Sequence, residues 1–240
     1  MNSDTMDIPK VSIRPIDCLK EAVNLIKEQY WLFVGITAVG ILIGTLVPFY
    51  ILLGPMMCGI FYCFFKRSRG NRVRFEDLFK GFDFFVESLI ISLILLGVML
   101  VISIPLYALI FFGIILNAPS AGEAGFLTIW LMFLIIYPIL LILSAVIGVL
   151  FSLTYPLIVD RGMKAVPALK TSINAAIKNF GGLLALLLLI IVISTFAALF
   201  CYLPIFLVYP VCCGAMAIAY RRIFPAIEET GESEGSSTVE

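Results

Sequence analysis

The densest group of side chains that could bind a ligand is a basic run between positions 66 and 74. It contains Lys66, Arg67, Arg69, Arg72 and Arg74. Basic residues beside an anionic membrane surface each contribute about 1 kcal/mol of attraction. The run therefore predicts contact with anionic lipid headgroups or with an acidic partner. The same charges also suit a loop that only fixes the orientation of the chain in a membrane.

Chemistry that needs histidine is excluded, because the chain contains none. Histidine-ligated haem, histidine-containing zinc sites and serine–histidine triads all lose a required residue. The long apolar runs also lack the charged residues that mark transport pathways or catalysis inside membranes. Their serines and threonines most often bond to backbone carbonyls or to neighbouring helices. We expect a non-enzymatic protein with no metal and no cofactor.

The composition is that of a membrane protein. Of 240 residues, 62% are hydrophobic and 13% are charged, against about 45–50% and about 25% in soluble domains. Asp, Glu, Lys and Arg are absent from four windows: 31–65, 88–122, 124–159 and 179–220. Each window exceeds the roughly 20 residues that a transmembrane helix needs. The sequence thus predicts an all-α, polytopic membrane helical bundle.

Prolines and glycines divide the apolar windows into six predicted transmembrane helices in three hairpins. The hairpins are 31–52 with 54–66, 86–116 with 126–158, and 181–202 with 204–220. The middle hairpin, 86–158, is longer than a bilayer requires, so it must tilt, kink or project. Segment 54–66 is short, and whether it crosses fully or re-enters is open.

An amphipathic helix is predicted before the first and before the last hairpin. Apolar residues follow a helical stripe at Ile16, Leu19, Val23, Ile26 and Tyr30, and again at Val166, Leu169, Ile173, Ala176 and Phe180. We expect both helices to lie in the membrane interface with these stripes towards the acyl chains.

The two stripes are 150 positions apart, which suggests an internal parallel repeat of 15–67 and 165–222. Later in each segment, Pro55 and Gly59 correspond to Pro210 and Gly214 at an offset of 155, and Lys66-Arg67 corresponds to Arg221-Arg222. We interpret these prolines and glycines, together with Pro156, as helix-break and packing positions. Convergence under the same physical constraints is the alternative to duplication.

The charge distribution predicts the orientation. All 16 basic residues lie before residue 31 or within 66–80, 161–178 and 221–222, as the positive-inside rule requires of cytoplasmic segments. Both termini should therefore be cytoplasmic. Residues 1–14 and the acidic segment 225–240 are predicted to be disordered tails, which leaves one membrane domain, 15–224.

Several segments resemble a widespread group of uncharacterised bacterial integral-membrane proteins. They are 58–66, Arg69-Gly70, Glu76 to Phe82, Pro156 to Asp160 with Ala168 to Ser172, and Pro210 to Tyr220. The group is itself similar to the membrane domain of glycerophosphodiester phosphodiesterases. Because the shared motifs lie at helix ends and packing positions, the resemblance implies the fold and a bacterial inner-membrane location, and no particular activity.

Two functions fit these observations. The first is a scaffold or accessory subunit of a larger membrane assembly, with other membrane-protein subunits and the lipid bilayer as partners. The alternative is a carrier or channel for a lipid or another apolar molecule, built on proline-broken helices. No nucleic acid partner is expected, because no basic domain interleaved with aromatic residues is present.

Overall fold

The computed structural model describes residues 9–46, 51–117, 123–199 and 203–225, and this part of the chain is helical. The helices are α1 (Pro15–Ile26), α2 (Tyr30–Leu46), α3 (Leu53–Ser68), α4 (Phe85–Asn117), α5 (Glu123–Phe151), α6 (Thr154–Arg161), α7 (Ala165–Lys178), α8 (Phe180–Leu199) and α9 (Leu203–Ile223). Two 3₁₀ segments, Lys27–Gln29 and Phe75–Phe84, lie directly before α2 and α4. We call the second one the phenylalanine segment.

Five helical stretches of the described chain are long and apolar enough to cross a membrane. They are Pro15–Leu46, Phe75–Gly113, Phe133–Arg161, Phe180–Leu199 and Pro204–Ile223. The all-helical class and the multi-pass character are thus confirmed. The sixth predicted crossing is α3, whose 16 residues extend only about 24 Å. A crossing of the hydrocarbon core needs about 30 Å.

Helix α3 lies at the centre of the core, and the phenylalanine segment runs back along it. Gly59 and Gly81 allow this approach: a Cβ at Gly59 would overlap the carbonyl oxygen of Leu78, and one at Gly81 would overlap that of Pro55. The first turns of α4 then contact the start of α3 at Gly54. A Cβ at Gly54 would be only 2.5 Å from Ser92 Oγ. Helix α4 therefore begins beside the N-terminal end of α3.

The predicted span 126–158 is divided by a short interruption between α5 and α6. Helix α5 ends at Phe151, and both the amide and the hydroxyl of Ser152 donate to the Val149 carbonyl. Pro156 explains the position of the break: it has no N–H to donate to the carbonyl four residues earlier, which belongs to Ser152. Pro156 itself lies buried in the first turn of α6, where proline is tolerated.

Residues 9–14, part of the predicted tail 1–14, contact the region where α7 meets α8. The backbone N–H of Val11 donates to Asn179 Oδ1 at 2.7 Å, and Asn179 Nδ2 donates to the Pro9 carbonyl at 3.2 Å. Ile13 is buried against Gly182 at the start of α8. The rest of that tail and 226–240 lie outside the described residues.

The faces of the amphipathic helices α1 and α7 that pack on the protein coincide only in part with the predicted stripes. Helix α1 buries Cys18, Ala22 and Ile26, and α7 buries Ala168, Ser172 and Ala176, each 150 positions later. Ile16, Val23 and Val166 are exposed, as expected for lipid contact, but Ile26 and Ala176 are not. Small residues dominate the buried faces because they let membrane helices approach closely.

Helix boundaries in the two halves follow the same spacing as the sequence. Helices α1, α2 and α3 begin at 15, 30 and 53, whereas α7, α8 and α9 begin at 165, 180 and 203. Helix α9 has 21 residues and α3 has 16. The ends of α3 and α9, at 68 and 223, are 155 positions apart, as are Pro55 and Pro210.

Candidate functional site

Ion pairs gather the polar ends of several helices into one surface, which we call the charged face. Lys66 pairs with Asp77, Arg67 with Glu28, Arg69 and Arg221 with Asp160, and Arg222 with Glu21. These contacts join the end of α3 to the phenylalanine segment, to the α1–α2 junction and to α6. They also join the end of α9 to α6 and to α1.

Asp160, near the end of α6, is the most buried acid in these ion pairs, with a side chain only 3% exposed. The Tyr220 hydroxyl donates to Oδ2 at 2.9 Å, and Arg221 Nη1 donates to the same oxygen at 3.1 Å. The second carboxylate oxygen lies 2.8 Å from Arg221 Nη2 and 3.3 Å from Arg69 Nη2. A buried carboxylate needs this number of donors to offset its desolvation.

The Lys66-Arg67 and Arg221-Arg222 pairs have matching partners. In each pair the first cation binds a buried aspartate, Asp77 or Asp160. The second cation binds an exposed glutamate of the N-terminal region, Glu28 or Glu21. Arg67 also donates to the Leu25 carbonyl at 3.1 Å. The main structural role of the two dibasic pairs is therefore to anchor α3 and α9 to the segments around them.

The five basic residues predicted as a ligand site separate into two groups. Lys66, Arg67 and Arg69 are held in the ion pairs described above. Arg72 and Arg74 are exposed, and Arg74 contributes its backbone N–H to Asp77 Oδ2 at 2.7 Å. The connection that carries them is fixed to the α1–α2 junction, because Gln29 and Val73 exchange two side chain–backbone hydrogen bonds of 3.2 Å.

A cleft of about 160 Å³ opens on the charged face between α3 and α6. Its polar lining comes from Tyr62, Lys66, Arg69, Asn71 and Asp160, and its apolar lining from Phe65 and Val159. Two of the predicted ligand residues, Lys66 and Arg69, thus share one concave site.

The predicted packing positions lie within tight contacts. Pro55 and Gly59 pack on the phenylalanine segment, and Pro210 is buried within α9. A Cβ at Gly214 would be 2.9 Å from the Phe64 ring and 3.1 Å from the Ala22 methyl group. Gly214 therefore brings α9 close to α3 and α1, whereas Gly59 brings α3 close to the phenylalanine segment.

Sequence reasoning missed Asp160, Tyr220, Tyr62 and Asn71 as members of the site. Asp160 did offer a signal, because it is a lone acid at the end of a long apolar run. A contact of Arg221 was not predicted either. Its guanidinium carbon lies 4.6 Å from the Phe65 ring centroid, a distance typical of cation–π pairs.

Within the described ranges, no group of three or more Cys, Asp or Glu side chains is arranged to hold a metal ion. The polar groups of the site are cations, hydroxyls and an amide around one neutralised carboxylate. Such groups recognise anions. In comparisons with protein families, curated proteins and solved structures, no family model, curated protein or solved structure matches this chain.

Proposed function

We propose that this chain is a non-enzymatic integral membrane protein that acts as a scaffold or accessory subunit of a larger membrane assembly. The observation that supports this most is the large exposed apolar surface of the hairpin formed by α4 and α5. From Ser92, beside the start of α3, α4 continues to Asn117, a distance of about 38 Å. Large apolar side chains are exposed along both helices of this hairpin.

One face of α4 has the shape of a helix-docking surface. Leu93, Val101 and Ile104 are exposed at helical spacing, and Gly97 lies between them with no atom of the described residues near the position of a Cβ. Glycine on an exposed membrane helix permits close approach of another helix. The exposed aromatic residues Tyr107, Phe112 and Trp130 further along the hairpin are of the types enriched in protein interfaces.

The location and orientation belong to the same proposal. We place the protein in a bacterial inner membrane with the charged face and both termini in the cytoplasm, as the distribution of basic residues favours. Five helices qualify as crossings by length and composition. Whether α3 is a sixth crossing depends on how deeply that helix lies in the membrane. The common spacing of helix starts supports an internal duplication of 15–67 and 165–222.

The proposal is tested by mild extraction of the tagged chain from its native membrane, with sizing and mass spectrometry of what accompanies it. We expect a fixed set of membrane proteins in constant ratio. Gly97→Leu should release them, because it fills the open face of α4. Gly181→Leu is the matched control, since no atom of the described residues lies near a Cβ at Gly181 either, but Gly181 is at the charged end of α8. A chain that elutes alone, or partners that persist in Gly97→Leu, would contradict the proposal.

The alternative function, a carrier or channel for a lipid, is favoured by the cleft on the charged face. Reconstitution into vesicles distinguishes the two functions, because an accessory subunit should not increase lipid or solute movement above that of protein-free vesicles.

A further inference from the structure

The cleft on the charged face presents hydrogen-bond donors and positive charge to a single small volume. Lys66, Arg69 and the side-chain amide of Asn71 supply donors. Tyr62 supplies a hydroxyl, and Phe65 and Val159 supply an apolar wall. The donors suit a phosphate group, and the apolar wall suits a less polar part of the same ligand.

The charge balance around the cleft is positive. Four cations, Lys66, Arg69, Arg161 and Arg221, share two carboxylates, Asp77 and Asp160. Ion pairing among these six groups therefore leaves two positive charges unneutralised.

Arg69 is the cation best placed to bind an incoming anion. Its side chain is 61% exposed, and its contact with Asp160 is long, at 3.3 Å. Asp160 keeps Tyr220 and Arg221 as partners when Arg69 turns away. Arg69 can therefore exchange Asp160 for a ligand without leaving a buried charge unpaired.

The cleft adjoins an exposed row of aromatic rings through Tyr62 and Lys80. Lys80 Nζ donates to the Tyr62 hydroxyl at 3.2 Å and lies 5.2 Å from the centre of its ring. Lys80 belongs to the phenylalanine segment, where Phe79 stacks on Phe82, and Phe82 stacks in turn on Phe85, the first residue of α4, each with ring centroids 6.4 Å apart. Side chains three positions apart eclipse on a 3₁₀ helix, so the rings form one row. Phe79 and Phe82 are exposed.

We propose that the cleft binds the phosphate group of an anionic lipid, whose acyl chains lie along the row formed by Phe79, Phe82 and Phe85. Arg69, Lys66 and Asn71 hold the phosphate, and Lys80 with Tyr62 joins the headgroup site to the apolar row. This site is independent of the partner proposed for the α4–α5 hairpin.

The test compares two arginines of the same connection. The full chain in detergent is titrated with dioctanoyl phosphatidic acid and followed by native mass spectrometry. Arg69→Gln should weaken binding about fivefold or more. Arg72→Gln removes the same charge from an exposed residue that does not line the cleft, and should weaken binding less than about twofold. Arg69→Lys should restore part of the affinity. Equal losses in the two glutamine variants, or no saturable binding by the unaltered chain, would overturn the site.

Two further variants separate the cleft from general charge and the lipid from free phosphate. Asn71→Ala keeps the net charge and should still weaken binding, which a diffuse electrostatic attraction does not predict. Phe82→Ala should weaken the binding of phosphatidic acid, because it removes part of the apolar row. The concentration of inorganic phosphate that competes for the cleft should be the same in this variant as in the unaltered chain. If inorganic phosphate competes at equal concentration and Phe82→Ala has no effect, the site holds a free anion and the lipid assignment is wrong. Thermal unfolding of each variant verifies that the fold is retained.

Discussion

At the scale of single residues, burial decides which ion pairs stabilise the fold. The Asp160 side chain is 3% exposed, whereas that of Glu21 is 53% exposed. Removing one partner of a buried ion pair leaves an uncompensated charge and costs about 3–5 kcal/mol. An exposed pair contributes about 0–1 kcal/mol. The charged face therefore combines strong junctions at the buried Asp160 and Asp77 with weaker contacts at the exposed Glu21 and Glu28.

Asp160→Asn should lower the free energy of unfolding by about 3–5 kcal/mol, because it leaves Arg221 buried without a counter-charge. Glu21→Gln should change it by less than about 1 kcal/mol. Chemical unfolding of the detergent-solubilised protein measures both values. The loss in Asp160→Asn should persist at high salt, since buried pairs are little screened. Similar, salt-sensitive losses in the two variants would show that Asp160 acts as a surface charge.

Two glycines provide a second residue-scale contrast. Gly59→Ala should destabilise the fold strongly, because the new methyl group would overlap the Leu78 carbonyl. Overpacking of this kind typically costs about 1–3 kcal/mol. Gly97→Ala meets no atom within the described ranges and should leave stability unchanged or slightly higher, since alanine is the better helix former. The same unfolding measurement tests both variants, and an unaffected Gly59→Ala would contradict the close packing of α3 on the phenylalanine segment.

At the scale of elements, the sequence predicted the helices well and their facing surfaces less well. The starts of α1, α2, α7 and α8 follow from the apolar stripes and the charge-free windows. The stripe itself did not tell which side of α7 meets protein, since lipid and protein cores are both apolar. The small residues Ala168 and Ser172 carry that information, because close approach requires little volume.

Ala168→Leu should therefore destabilise the protein, by about 1–3 kcal/mol, because Ala168 is fully buried where α7 meets the core. Val166→Leu enlarges a residue two positions away that is 52% exposed, and it should be neutral. Comparing the thermal unfolding of the two variants in the same detergent checks this. If Val166→Leu were the more damaging change, the face of α7 assigned to the protein would be wrong.

For the candidate site, too, the sequence identified some of the residues and not others. The basic run at 66–74 identified Lys66 and Arg69 from composition alone. Asp160 could not be assigned to the same place from the sequence, because its proximity depends on how α6 packs beside α3. Tyr62 and Asn71 lie within five residues of Lys66 along the chain, and they were overlooked because neither carries a charge. The break at Ser152–Leu153 that sets the position of α6 falls just before Pro156, one of the residues interpreted from the sequence as helix-break positions.

At the scale of the whole molecule, the depth of the α2–α3 hairpin in the membrane follows from the charges beside it. Arg67 pairs with Glu28, so the start of α2 and the end of α3 share one face, and both helices cross or neither does. Gly81 packs against Pro55, and Asp83 and Glu87 follow immediately. These acids therefore lie near the N-terminal end of α3. Each would cost at least about 2.5 kcal/mol at the centre of a bilayer.

We therefore expect the α2–α3 hairpin to enter the membrane only part way, which leaves α4, α5, α8 and α9 as crossings. Leu46, at the end of α2, is 84% exposed, so a cysteine there reports the depth of the tip. A membrane-impermeant maleimide added to intact cells should label Ser120→Cys, in the connection between α4 and α5, and should label neither Leu46→Cys nor Arg72→Cys. After permeabilisation Arg72→Cys should react, and the unaltered chain gives the background. External labelling of Leu46→Cys would establish that α2 and α3 both cross, and the charges of Asp83 and Glu87 would then need partners deep in the membrane.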